Sequence, residues 1–244
     1  MKLSTILRAA TLCPFAGLIF TSPARATDEI IDPDQQSISA TSYYPTYGQI
    51  PSKLADNSGL SSPLSTGAPV PLTDAAYPTH DTTLVNMYRS GKDTHPDLFF
   101  SLNAEYKLTG LHYWNFNADN TATHPTGGDR ETSADGIQSL DIAVSTTGIT
   151  GPYTTVGTYT LNQAPVDASY TGETLPFSQI ADASYVRFHI NSNFSAAGPD
   201  ASGYFGMAEL RFIGSPAVTP EPAMLSLAAL AGIGLLARRR ASPG

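Results

Sequence analysis

An aromatic side chain offers an apolar face and a planar polar side chain offers directed hydrogen bonds, and together they can hold a small polar ring such as a sugar. Three polar stretches of this 244-residue chain, 43–49, 115–130 and 191–204, carry both kinds. They supply Tyr43, Tyr44 and Tyr47, then His124, Asp129 and Arg130, then Tyr204. Trp114, the only tryptophan, lies inside a strand-like run and reads as packing rather than as a sugar platform. Residues for turnover are not assembled in the same way. The histidines (His80, His95, His112, His124 and His189) show no His-x-x-x-His or Glu-linked metal spacing. There is no Gly-x-Ser-x-Gly elbow and no glycine-rich phosphate loop. Asp129 and Glu131 are close in sequence, but acid/base pairs are assembled from distant segments, and these two read as loop carboxylates. The expectation is a binding protein, not an enzyme.

Loops at one end of a rigid scaffold must position such residues. Ser139 to Ser145 alternates, with Leu140, Ile142 and Val144 on one face and Asp141 and Ala143 on the other. Val186, Phe188 and Ile190 alternate in the same way. Ala208, Leu210 and Phe212 are expected on one face of a further strand, with Met207, Glu209 and Arg211 on the other. The runs 98–102, 108–116 and 153–161 are further strand candidates. Period-two alternation buries one face of each strand, so the predicted architecture is all-β, an antiparallel sandwich. Residues 27–38, acidic and polar, read as a flexible leader, and the Pro/Ser/Gly/Thr-rich stretch 58–73 as a long loop.

The two ends read as sorting signals. Lys2 and Arg8 precede an apolar run, and Ala24-Arg25-Ala26 follows it, the pattern of a secretory signal peptide over residues 1–26. The only cysteine, Cys13, falls inside that leader, so the exported chain is expected to have no disulfide and no thiol site. At the other end Pro220-Glu221-Pro222 precedes an apolar run over 223–237 and then Arg238, Arg239 and Arg240. The run is shorter than the ~20 residues of a comfortable spanning helix, and the arginines suit a cytoplasmic end. Triplet, short apolar run and arginines together resemble the PEP-CTERM sorting signal. That resemblance implies an exported protein of a Gram-negative bacterium, held at the inner membrane until an exosortase-type enzyme cleaves near the triplet.

Without Lys2, Arg8, Arg25, Glu221 and the three tail arginines, the net charge falls from −8 to −13. Such a middle repels nucleic-acid phosphates, so no nucleic-acid partner is expected. It suits calcium or neutral polar partners such as glycans.

The order of motifs in the middle is distinctive. Lys53-Leu54-Ala55-Asp56-Asn57-Ser58-Gly59-Leu60 comes first, then Pro96-Asp97-Leu98-Phe99-Phe100-Ser101-Leu102 and Tyr106-Lys107-Leu108-Thr109-Gly110-Leu111-His112-Tyr113-Trp114. The 136–145 strand follows, then Ser184-Tyr185-Val186-Arg187-Phe188 and Gly206-Met207-Ala208-Glu209-Leu210-Arg211-Phe212. Over roughly 50–214 this resembles the galactose-binding-like, discoidin-type jelly roll, preceded by a flexible leader and first strand region over 27–49 and followed by a 215–222 linker and a 223–244 sorting helix. The resemblance implies a binding role toward glycans, lipid head groups or proteins at cell surfaces. The chain departs from it in a longer polar insertion over 118–135. In that family an acidic turn and a last-strand glutamate often meet around Ca²⁺; here these are Asp56 and Glu209, completed by Ser58 and the carbonyls of Asn57 and Ala208. The function expected is recognition of a surface glycan or exopolysaccharide. A structural matrix role and a small secreted hydrolase are the alternatives.

Overall fold

The computed structural model describes residues 27–92, 95–118, 133–195 and 203–217. The signal-peptide and sorting-tail expectations, including Pro220, Glu221, Pro222, Arg238, Arg239 and Arg240, lie outside the described residues, as do His124, Asp129 and Arg130. No helix among the described residues is long and apolar enough to cross a membrane.

Among the described residues eight strands carry the fold: β1 (Glu29–Ile31), β2 (Ser39–Ala40), β3 (Tyr88–Arg89), β4 (Asp97–Asn115), β5 (Ile137–Ser145), β6 (Thr154–Thr160), β7 (Glu173–Asn193) and β8 (Gly206–Pro216). All pairings between them are antiparallel, in the order β1-β8-β4-β7-β5-β6, with β2 on β4 and β3 on β8. The expected all-β antiparallel sandwich is what the chain forms. Its two layers come from one sheet that doubles back. Leu111 of β4 pairs with Phe212, and Phe100 lies eleven residues away, about 36 Å along a straight strand. Yet the Phe100 and Phe212 rings sit 5.6 Å apart. So β4 folds over near its register slip between Ser101 and Tyr106, where Asn103 takes a positive φ of 61°. β7 follows it, and Phe188 meets Phe212 at 6.1 Å. One layer is therefore β2, residues 97–101, residues 185–193, β5 and β6; the other is β1 and β3 on β8, then residues 106–115 and residues 173–183.

Leu140, Ile142, Val144, Val186, Phe188 and Ile190 all face the core between the layers, as their alternation requires. β8 departs from expectation. Met207 joins Leu210 and Phe212 in that core, while Ala208 packs in a second cluster with Trp114, Phe116, Tyr77 and Ile30. The cause is a register shift between Trp114 and Asn115 on the paired strand, which turns one residue of β8 to the other side. The second cluster lies under the stretch between Ala55 and Met87, so β8 is buried on both faces. Trp114 is fully buried and donates its indole N–H to the Pro78 carbonyl at 3.0 Å, a packing role.

The runs 98–102 and 108–115 are strand, as expected, and are continuous within β4. One further expectation fails. Residues 27–38 are not a free leader: β1 pairs with β8, and Ile30 and Ile31 are fully buried.

Candidate functional site

The sandwich has two distinct ends. β8 starts at Gly206 beside Arg89 of β3 and finishes at Pro216, opposite Tyr106 of β4. Three of the candidate tyrosines gather at the Gly206 end. Tyr44 is tied to β3 by its N–H to the Arg89 carbonyl at 2.9 Å. A short 3-10 turn over Pro45–Tyr47, closed by Gly48 at φ 73°, returns the chain to bridge Gln49. This places Tyr47 at 5.8 Å and Tyr204 at 6.0 Å from the Tyr44 ring, the latter edge-on. Tyr43 is in the same segment and 47% exposed, Tyr47 is 49% exposed, and Tyr204 is buried. Tyr204 thus supports the cluster from beneath instead of offering a face to a ligand.

Arg89 organises the cluster, and nothing in the sequence singled it out. Its guanidinium lies 3.7 Å from the Tyr204 ring centre and 5.6 Å from that of Tyr44. The buried Asp135 carboxylate holds it at 2.8 and 3.0 Å. Removing one partner of such a buried pair costs about 3–5 kcal/mol, because the other charge is stranded. Lys92 adds a second cation 5.6 Å from Tyr204. The arrangement is an exposed Tyr47 beside Tyr44 on a stiffened base, which can stack against the apolar face of a sugar ring. The other candidate residues, His124, Asp129 and Arg130, lie outside the described residues.

Asp56 and Ser58 lie in the 55–87 covering, in the turn that meets Glu209 of β8. Glu209 is fully buried; its Oε1 accepts the Asn57 N–H at 2.9 Å and pairs with Arg211 at 2.8 Å. Its Oε2 has no hydrogen-bond partner. Burial pushes the carboxyl up to about 8, against the pull of Arg211, and nearby Asp56 adds to the rise. Asp32, 3.5 Å from Arg211, is likewise raised by burial, to about 6. Asp56 accepts the Ser58 N–H at 2.8 Å and is bridged by Lys53 at 2.9 Å. The Ser58 hydroxyl donates to the Asn86 carbonyl. His80 is fully buried with its Nε2 unpartnered, and burial lowers its pKa. Gly59, at φ 84°, passes so close that a Cβ there would stand 2.5 Å from the His80 ring. The bare Glu209 Oε2 and the Asp56 carboxylate are hard oxygen donors of the kind Ca²⁺ takes, and each carboxylate already faces one cation, Arg211 or Lys53. Among the described residues no group of three His, Cys, Asp or Glu side chains could hold a metal, so main-chain carbonyls would have to complete such a shell.

No protein-family model matches the chain, and no curated protein sequence does. Among solved structures it is similar to the galactose-bound family 32 carbohydrate-binding module of Clostridium perfringens NanJ, at 15% identity and TM-score 0.45, covering 76% of this chain and 98% of that one. A further family 32 module, from a family 31 glycoside hydrolase of Clostridium perfringens, is 15% identical at TM-score 0.47, over 75% and 94% of the two chains. A striped-bass serum fucolectin is 13% identical at TM-score 0.46, over 75% and 48%. Similarity this distant assigns no residue of this chain a role.

Proposed function

We propose that this protein is an exported glycan-binding module that engages a neutral sugar at its tyrosine end. The observation that carries the reading is the meeting of Tyr44 and Tyr47 with Tyr204, from the far end of the sequence, on the buried Arg89–Asp135 pair. The half-exposed Tyr47, held against Tyr44 above the Arg89–Asp135 pair, is pre-organised for stacking, which lowers the ordering cost of binding. The net charge of −13 left after removal of both ends favours a neutral glycan over a long polyanion. Calorimetry with neutral oligosaccharides chosen from a glycan array tests it: saturable binding is expected, weakened about tenfold or more in Tyr47→Ala. A blank array, or a Tyr47→Ala variant that binds as well as the parent, overturns it.

The proposal extends to one structural Ca²⁺, held through the bare Glu209 Oε2, Asp56 and neighbouring main-chain carbonyls. Its chemical contribution would be to supply a partner for the Oε2 that the Arg211 pair leaves bare. Added Ca²⁺ is expected to raise the melting temperature of the parent at neutral pH and to leave Glu209→Gln unmoved. An equal response, or none in either, removes the metal from the reading. The sorting part of the proposal rests on the residue order at the two ends: export, anchoring through 223–237 with the arginines inside, and exosortase-type processing at Pro220-Glu221-Pro222. Mass analysis of the protein from its native envelope tests this; a chain retaining residues beyond 222 overturns the processing step.

A further inference from the structure

The outer face of the first layer bears a feature unrelated to the tyrosine end. On β4, Leu98 and Phe100 point into the core, so Asp97, Phe99 and Ser101 point out; on β7, Tyr185, Arg187 and His189 do the same. Phe99 and Arg187 are direct cross-strand neighbours, with Ser39 of β2 beyond Phe99. The turn before β6 brings Tyr153 over them, 6.5 Å from the Phe99 ring and 5.1 Å from the Arg187 guanidinium. The Tyr153 hydroxyl is spent on the Ile149 carbonyl at 2.7 Å, so its ring is fixed in place. Together these residues line a groove of about 470 Å³.

Arg187 is the anomaly. Its Nε is buried with no hydrogen-bond partner, and no carboxylate among the described residues pairs with it. The carboxylate one residue pair along the same face, Asp97, is occupied by His189 at 2.9 Å. In a strongly acidic protein a guanidinium left without an anion, beside two aromatic rings, is a place prepared for one.

We propose that this groove binds a carboxylated sugar, a uronate unit within an otherwise neutral glycan, with Arg187 taking the carboxylate and Tyr153 and Phe99 the ring. The glycan class rests on the reading of the tyrosine end, but the residues are different. The protein's net negative charge favours isolated carboxylates over a dense polyanion, which it repels. An adjoining polar groove, lined by Ser101, Asn103, Thr147 and Tyr185, gives neutral neighbours of the uronate somewhere to lie.

The test is an NMR titration of the domain with methyl glucuronoside, its methyl ester and methyl glucoside, following the Arg187 Nε–H and the amides of Phe99 and Tyr153. The glucuronoside is expected to shift these signals saturably and to bind about tenfold or more tightly than the ester or the glucoside. Arg187→Gln is expected to lower glucuronoside binding to the level of the ester, Arg187→Lys to retain part of it, and Tyr47→Ala to retain all of it, each at an unchanged melting temperature. The proposal is overturned if the three sugars bind alike, if none shifts this face, or if Tyr47→Ala and not Arg187→Gln abolishes the effect. Loss of neutral-glycan binding in Tyr47→Ala with the glucuronoside response intact would separate the two sites.

Discussion

Glu209 shows how a single buried side chain links stability to pH. Its folded pKa of about 8 stands above the ordinary 4.5. A raised acid favours folding most when protonated, so its contribution is complete below about pH 4.5 and is lost as pH rises through about 8. Asp32 acts with the same sign between 3.8 and about 6. His80, lowered by burial, acts with the opposite sign and loses stability as pH falls. Glu209→Gln removes only the first of these. In chelator, the parent is therefore expected to lose melting temperature from pH 5 to pH 8.5 relative to Glu209→Gln, with the two curves converging on the acid side. Parallel curves would show that Arg211 already compensates the carboxylate in full. Some of this was open to sequence reasoning: on an alternating strand Glu209 had to face away from the central core. That the far face of β8 is also buried was not open to it, because the 55–87 covering contains no periodic element to announce it. The tyrosines were recognisable by type and loop position. Arg89 and Arg187 were not, because a cation in a strand carries no motif and its partners, Asp135 and Tyr153, are brought together only by the fold.

At the scale of elements, the β4–β8 pairing depends on close backbone approach. Register slips between Leu108 and Gly110, and opposite them lies Gly214, where an added Cβ would run into the Lys107 carbonyl oxygen. A carbonyl within a paired ladder cannot step aside without breaking its bonds. Gly214→Ala is accordingly expected to cost about 1–3 kcal/mol in denaturant unfolding. Gly148→Ala, where a Cβ meets nothing within 4 Å, is expected to fall within about 0.5 kcal/mol of the parent. Equal midpoints for the two would contradict the close approach. These elements also show where alternation stops being informative. The residues of β5 and of 185–190 obey it because each pairs on both sides and buries one face. Residues 173–183 escaped notice because they form an edge, with Pro176 opposite Gly110 and Ile180 57% exposed, so no apolar stripe is needed. Ala208 was misplaced by one face because a bulge is a property of the pairing and not of the strand's own residues.

The whole molecule has a direction. β1 pairs Glu29 with Gly214, so the described chain enters near Thr27 and leaves near Ala217 at the same end, where the Ala217 N–H is bonded to the Glu105 carbonyl. The tyrosine cluster sits at the opposite end, beside Gly206. The eleven residues of β8 between them span about 36 Å. Anything that tethers the protein through residues after 217 therefore presents Tyr43 and Tyr47 outward, whether the tether is a membrane segment or an artificial surface. The chain from Thr27 onward contains no cysteine, so one introduced thiol fixes the attachment point without ambiguity. Coupled to a sensor surface through Ala217→Cys, the domain is expected to bind its neutral glycan within about twofold of the free protein, because the attachment leaves the pre-organised rings untouched. Coupled through Lys92→Cys, beside Tyr204, it is expected to lose most of that binding, while the free Lys92→Cys protein keeps it. If both attachments bind alike, the neutral-glycan site lies away from the Gly206 end, and the face bearing Arg187 becomes the first place to look.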